Sequence, residues 1–235
     1  MGLKYKRILL KLSGEALAGD RKSGLNEETI RPICASIKKA HDMGVEIGIV
    51  VGGGNFWRGR TSGSMERTTA DKIGMLATIM NALAVADALR QQGTDACVMT
   101  SLEMNQVAEP FVRDRAVQHL QQGKIVVFGG GTGNPFFSTD TGSTLRACEI
   151  GADIMFKLTM VDGVYDKDPH KYADAVKYDT LTFTRVLEEQ LAVMDSTAAT
   201  MCRDNHLPIL VFDISDPDNI IKAVQGDAIG TLVTE

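Results

Sequence analysis

Apolar and polar positions along this chain fall into blocks of two alternating kinds. Short continuous apolar runs at 6–12, 45–51, 96–99, 125–128, 154–158, 208–212 and 231–234 predict buried β-strands. Between them, apolar residues recur every three or four positions. Ile30, Ile33, Cys34 and Ile37 have that spacing behind Asn26, a residue suited to cap a helix. Met75, Ile79, Leu83, Ala86 and Leu89 mark one face of a long helix over 69–92. Shorter helices are predicted over 113–122 (Val117 and Leu120 inward), 141–150, 184–191, 197–205 and 218–224. Strand–helix alternation of this sort implies a mainly parallel sheet with helices on both faces. The expected fold class is α/β, a three-layer αβα sandwich with a mainly parallel sheet of about eight strands. No Pro/Gly/Ser linker, low-complexity tract or internal repeat interrupts it, so a single domain over 1–235 is expected. The polar stretches 59–66 and 162–179 lack either pattern and are expected to be mobile lids.

Three of the strands run straight into glycine-bearing loops. Lys11-Leu12 leads into Ser13-Gly14, Val50-Val51 into Gly52-Gly53-Gly54-Asn55, and Val127-Phe128 into Gly129-Gly130-Gly131-Thr132-Gly133-Asn134-Pro135. Glycine permits positive φ and close approach of backbone to a ligand. Bared N–H groups at a helix start attract phosphate. In a parallel sheet the loops after the strands share one edge. Three such loops suggest more phosphate groups than one nucleotide carries, hence phosphoryl transfer between two phosphorylated molecules. A plain strand-to-helix turn explains any one loop; it explains all three together less well, because each also carries Ser, Thr, Asn, Lys or Arg.

The common nucleotide fingerprints are absent. Gly14 and Gly19 have P-loop spacing, but Asp20 and Arg21 follow where Lys and Ser or Thr belong. The pattern G-x-G-x-x-G ends at Asn134 in one loop and at Trp57 in the other. An apolar fraction of 44% is ample for a core, and a net charge of −5 disfavours broad binding to nucleic acid. The four cysteines (Cys34, Cys97, Cys148, Cys202) form no C-x-x-C and read as buried thiols of a reducing compartment. The histidines are as scattered, and no metal site is predicted from these residues. No targeting segment is visible, and Asn81 and Asp87 interrupt the apolar stretch 75–89, so no membrane span is expected. The expected location is cytoplasmic.

Read together, four segments carry a resemblance. They are Lys11-Leu12-Ser13-Gly14-Glu15-Ala16-Leu17, Gly52-Gly53-Gly54-Asn55-Phe56-Trp57-Arg58-Gly59, the run Gly131-Thr132-Gly133-Asn134-Pro135-Phe136-Phe137-Ser138-Thr139-Asp140, and Val161-Asp162-Gly163-Val164-Tyr165 with Asp168-Pro169. Along its whole length the chain resembles the bacterial UMP kinases, which have the amino-acid kinase fold. The resemblance implies ATP-dependent conversion of UMP to UDP, with Mg2+, in a homohexamer. It implies ATP contacts at Lys11, Leu12, Ser13, Gly14, Gly54, Arg58, Thr159, Tyr165 and Asp168. It implies UMP contacts at Gly53, Asp71, Thr132, Gly133, Asn134, Pro135, Phe136, Phe137, Ser138 and Thr139. Lys11, Arg58, Asp140 and Asp195 resemble the catalytic set. GTP and UTP are implied as effectors. The segment 19–24 aligns with a region tied to the GTP response, while Ala86 and Cys97 stand where other members carry basic residues and Arg90 and Lys124 keep a cation. Met160 replaces a lysine found in some members, leaving Lys157 as the nearer cation.

Plainer readings stand beside these. Lys11 could be a strand-end lysine with a solvated head. Asp140 could be only a helix N-cap, and Asp71 could only favour a helix start. Arg58 could be a surface loop residue and Tyr165 turn packing.

Overall fold

The computed structural model describes residues 2–57 and 63–235. Arg58 and the first part of the expected 59–66 lid lie outside the described residues.

In chain order the strands are β1 (Arg7–Leu12), β2 (Glu46–Val51), β3 (Ala96–Thr100), β4 (Glu109–Pro110), β5 (Ile125–Gly129), β6 (Ile154–Thr159), β7 (Val164–Tyr165), β8 (Lys177–Tyr178), β9 (Thr180–Thr182), β10 (Ile209–Asp213) and β11 (Thr231–Thr234). The α-helices are α1 (Gly14–Ala18), α2 (Glu27–Asp42), α3 (Arg67–Gln91), α4 (Arg113–Gln121), α5 (Thr139–Ile150), α6 (Phe183–Glu188), α7 (Ser196–Asp204) and α8 (Asn219–Gln225). Among the described residues, nine strands form one sheet in the order β4-β3-β5-β2-β1-β6-β10-β11-β9, one more than expected. All neighbours pair parallel except β10 with β11, so β11 and β9 run against the rest. The 162–179 stretch is not wholly irregular: β7 and β8 pair antiparallel within it.

Alternation along the strands explains the layers. Ile8, Leu10 and Leu12 of β1 and Ile154, Phe156 and Leu158 of β6 face a core shared with α2, α3 and α8. Leu9 and Met155 face the other core, built with α4 to α7. Burying each such side chain stabilises by about 1.5–3 kcal/mol. Because side chains alternate with period two, Lys11 and Lys157 share the face of Leu9 and Met155. Parallel pairing also sets Lys11 beside Lys157 in register. Two cations are thus delivered to one point, at the carboxyl ends of two central strands, on the α5 side.

The helix α3 has the length and apolar composition of a membrane span, yet half of that window is buried within the fold. Its inner residues Ala82, Val85, Ala86 and Leu89 pack in the first core. Asn26 caps α2 as expected, accepting from the Glu28 N–H at 3.1 Å. The cysteines are all free; Cys34 and Cys202 are buried, whereas Cys97 and Cys148 are half-buried rather than buried. Burial pushes the Cys34 and Cys202 thiols up to about 12, so both are poor nucleophiles.

Candidate active site

The site is centred on Asp140. Its carboxylate receives Lys11 Nζ on Oδ1 at 3.0 Å and Lys157 Nζ on Oδ2 at 2.7 Å. Burial opposes its ionised form, but the charges of Lys11 and Lys157 outweigh this and hold the carboxyl below the usual aspartate range. Burial pushes the Lys157 ammonium down from its ordinary value, against the pull of Asp140. Lys157 also donates to the Val193 carbonyl. Two ammonium groups are thus held at one point, suited to the oxygens of a transferring phosphoryl group.

Helix α5 brings Asp140 there. It begins two residues earlier than periodicity suggests, and its cap is Ser138, whose Oγ accepts from the Thr141 N–H at 3.1 Å. Asp140 sits in the first turn, where the helix dipole favours a carboxylate. The reading of Asp140 as an N-cap is therefore corrected. Asp195 does cap: it accepts from the Ala198 N–H at 3.0 Å, at the start of α7. It also accepts from Thr141 Oγ1 at 3.0 Å and from Ser138 Oγ. Asp195 thus ties the starts of α5 and α7 together.

A cleft of about 460 Å³ opens on the Lys11 side. Of the expected positions, Lys11, Ser13, Gly14, Gly53, Gly54, Asp71, Thr132, Asn134, Phe137, Ser138 and Thr139 line it. Leu12 points the other way, fully buried in the core. Ser13 caps α1, accepting from the Ala16 N–H at 3.2 Å. Gly133 packs toward Ser101 rather than the cleft. Pro135 and Phe136 are off its wall. Phe136 has φ +73° and an exposed ring beneath the Arg67 guanidinium. Its N–H donates to Asp71 Oδ2 at 2.8 Å, and Arg67 Nε meets the same oxygen at 2.8 Å. Asp71 therefore already clasps the loop after β5.

A second cleft, about 420 Å³, opens on the Lys157 side between β6, the β7–β8 region and residues 189–193. Thr159, Tyr165 and Asp168, the residues that the resemblance gives to the ATP nucleoside, all line it. Their polar atoms serve the local chain: Thr159 Oγ1 donates to the Val161 carbonyl at 2.7 Å, and Asp168 accepts from the His170 N–H at 3.0 Å. Tyr165 Oη donates to Asp162 at 2.6 Å, a bond that raises the tyrosine pKa.

Sequence reasoning did not place Lys157 in the centre, nor Arg67 or Thr78 in the first cleft. A charge in the apolar run Ile154-Met155-Phe156-Lys157-Leu158 was the available signal for Lys157. Among the described residues, no three His, Cys, Asp or Glu side chains converge to hold a metal ion. Both oxygens of Asp140 are engaged by lysines, so the described side chains do not fit a protein-held Mg2+.

The loops after β1 and β2 pack with no room for a side chain. A Cβ on Gly14 would lie 2.5 Å from both Asn55 Oδ1 and the Gly52 carbonyl. Gly14→Ala is expected to cost about 1–3 kcal/mol and to push the two loops apart. Calorimetric melting together with a turnover assay checks this; an unchanged Tm would show that the loops can yield.

Comparison with known proteins places this geometry. The amino acid kinase family matches residues 6–213. The chain is similar to a structure of UMP kinase from Bacillus anthracis, with 40% identity and a TM-score of 0.95, covering 98% of this chain and 96% of that one. It is similar to UMP kinase from Ureaplasma parvum, with 32% identity and a TM-score of 0.93 over 99% and 100% of the two chains. It is also similar to uridylate kinase from Archaeoglobus fulgidus, at 28% identity and a TM-score of 0.75 over 97% and 99%. Since the matched region holds both clefts and the lysines between them, the chain belongs to the amino acid kinase family, a family of kinases.

Proposed function

We propose that the protein transfers the γ-phosphoryl group of ATP to UMP, giving UDP and ADP. The observation that carries this reading is the pair of clefts, one lined by Lys11 and the other by Lys157, on either side of a shared Asp140. The relatives named as UMP kinases support uridylate as the acceptor. The second cleft takes the ATP nucleoside at Thr159, Tyr165 and Asp168. The first takes UMP along Gly53, Asp71 and the loop from Thr132 to Thr139. The two phosphate chains then meet over Lys11, Ser13, Gly14 and Gly54.

The acceptor's phosphate oxygen is already a competent nucleophile, so no general base is needed. The protein's task is to align donor and acceptor and to neutralise the oxygens that gain charge in flight. Lys11 supplies that charge, and Asp140 fixes the lysine head. Arg58 is assigned a second cation. Mg2+ would bind with the triphosphate, whose own oxygens supply its ligands; it would shield charge on the phosphates. A homohexamer, with GTP and UTP as effectors, also belongs to this proposal. Arg90 and Lys124 meet the segment Asp95–Ala96 at the opposite edge of the sheet from the clefts.

An ADP-release assay offering UMP, CMP, acetylglutamate, aspartate and carbamate tests the reading. UMP is expected to be strongly preferred. Turnover of an amino-acid or carbamate acceptor instead would overturn the substrate assignment. Within that assay, Asp71→Ala is expected to narrow the preference for UMP over dUMP by about tenfold or more, as a lost ribose contact would. Equal discrimination by both proteins would show that Asp71 serves only its clasp on Phe136.

A further inference from the structure

One stripe of α3 holds two of the glycine loops of the first cleft, those after β2 and β5. Residues 71 and 78 lie two turns apart on the helix, and residue 81 lies one turn further along. Asp71 takes the Phe136 N–H, as described. Thr78 Oγ1 accepts the Gly130 N–H at 2.8 Å, its own proton directed to the Met75 carbonyl at 2.6 Å. Asn81 Nδ2 donates to the Gly52 carbonyl at 2.6 Å and to Asn55 Oδ1 at 2.7 Å. Asn55 Nδ2 returns a bond to Asn81 Oδ1 at 3.0 Å and reaches the Gly24 carbonyl at 2.7 Å. Asn55 and Asn81 are both buried, and Thr78 nearly so. A fully buried amide within a long apolar helix costs stability unless each of its polar atoms has a partner. Here the partners belong to the loops that line the cleft.

We propose that Thr78 and Asn81 are positioning residues that use the fixed rise of α3 to set the distance between the loop after β2 and the loop after β5. The distance matters because the acceptor must lie against both loops at once while its phosphate reaches the donor. A shift of about 1 Å in such an arrangement is enough to cost rate. The kinetic part of this inference rests on the proposed UMP kinase activity; the loop-holding part does not.

The test compares Thr78→Val, Thr78→Ser and Asn81→Asp with the natural protein. Valine keeps the shape of threonine and leaves the buried Gly130 N–H without an acceptor, while serine keeps the hydroxyl. Hydrogen exchange of peptides covering 129–133 and 52–55 is followed without substrate, and KM for UMP and ATP is measured separately. Thr78→Val is expected to speed exchange over 129–133 and to raise KM for UMP about tenfold, the size expected from orphaning one buried N–H. KM for ATP should stay within twofold, and Thr78→Ser should restore both readouts. Asn81→Asp sets a carboxylate against the Gly52 carbonyl and should speed exchange over 52–55. Faster exchange with unchanged KM for UMP would overturn the positioning role, as would equal rises in both KM values that serine does not rescue. If the natural protein turns over no UMP, the functional reading fails, and unchanged exchange in Thr78→Val would then overturn the loop-holding claim on its own.

Discussion

Asp140→Asn is expected to abolish most turnover and to destabilise the fold in a pH-dependent way. Asparagine keeps the shape but removes the charge between two ammonium groups held side by side by strand register. Breaking a buried ion pair by removing one partner costs on the order of 3 kcal/mol. Lys11, released from its fixed seat, no longer points at the transferring group. The sign of the pH effect follows from the direction of the shift. Unperturbed aspartate titrates near pH ~3.9, and in the fold Asp140 is held lower. Its contribution to stability is therefore present above that value and is lost as the pH falls through the folded pKa. The Tm gap between the natural protein and the variant should be widest near neutrality and should close in acid, below about pH 4. Melting curves across that range check it; a gap that is flat with pH, or normal turnover in the variant, would remove Asp140 from the centre of the mechanism.

Lys11→Ala is expected to lower turnover by about a hundredfold or more, the usual cost of deleting a preorganised charge aimed at the transition state. The fold should survive, because Asp140 keeps Lys157 at 2.7 Å and the strand face opposite Lys11 is packed by Leu10 and Leu12. The effect should fall on kcat more than on either KM, since the charge is used most when the phosphoryl group is in flight. A folded variant with near-normal kcat would refute the role. The plainer reading of Lys11, a strand-end lysine with a solvated head, predicts that null result.

Much of this was legible in the chain. The continuous apolar runs of β1 and β6 and the three-to-four spacing of α2 located the core elements, and the glycine loops after β1, β2 and β5 pointed to the candidate site. What was not legible has physical causes. The two-residue strands β4, β7 and β8 and the short β9 are too brief to carry a pattern; their partners, not their side chains, make them strands. Ser138, Thr139 and Asp140 are all competent caps, and only the true start of α5 decides which one acts. Lys157 was visible as a charge in an apolar run, but its meaning needed the register against Lys11. The Phe136–Asp71 clasp joins residues far apart in sequence and has no local signature. Leu12 belongs to the Lys-Leu-Ser-Gly motif, yet the alternation of β1 turns its side chain into the core, leaving only its backbone for the cleft.

The sheet order carries a consequence for how the molecule is made. β9 lies at the sheet edge and is hydrogen-bonded to β11, which separates it from β10. On the ribosome, Thr182 is joined well before Thr231. At about 5–20 residues per second, β9 waits roughly 2–10 s for its neighbour, and β10 keeps one open edge for part of that time. Until then β9 has no sheet partner and β10 lacks one of its two, so their edges are bare to other nascent chains. At three residues, Thr180–Thr182, β9 is short, and that brevity makes it a poor template for a stray strand during that interval.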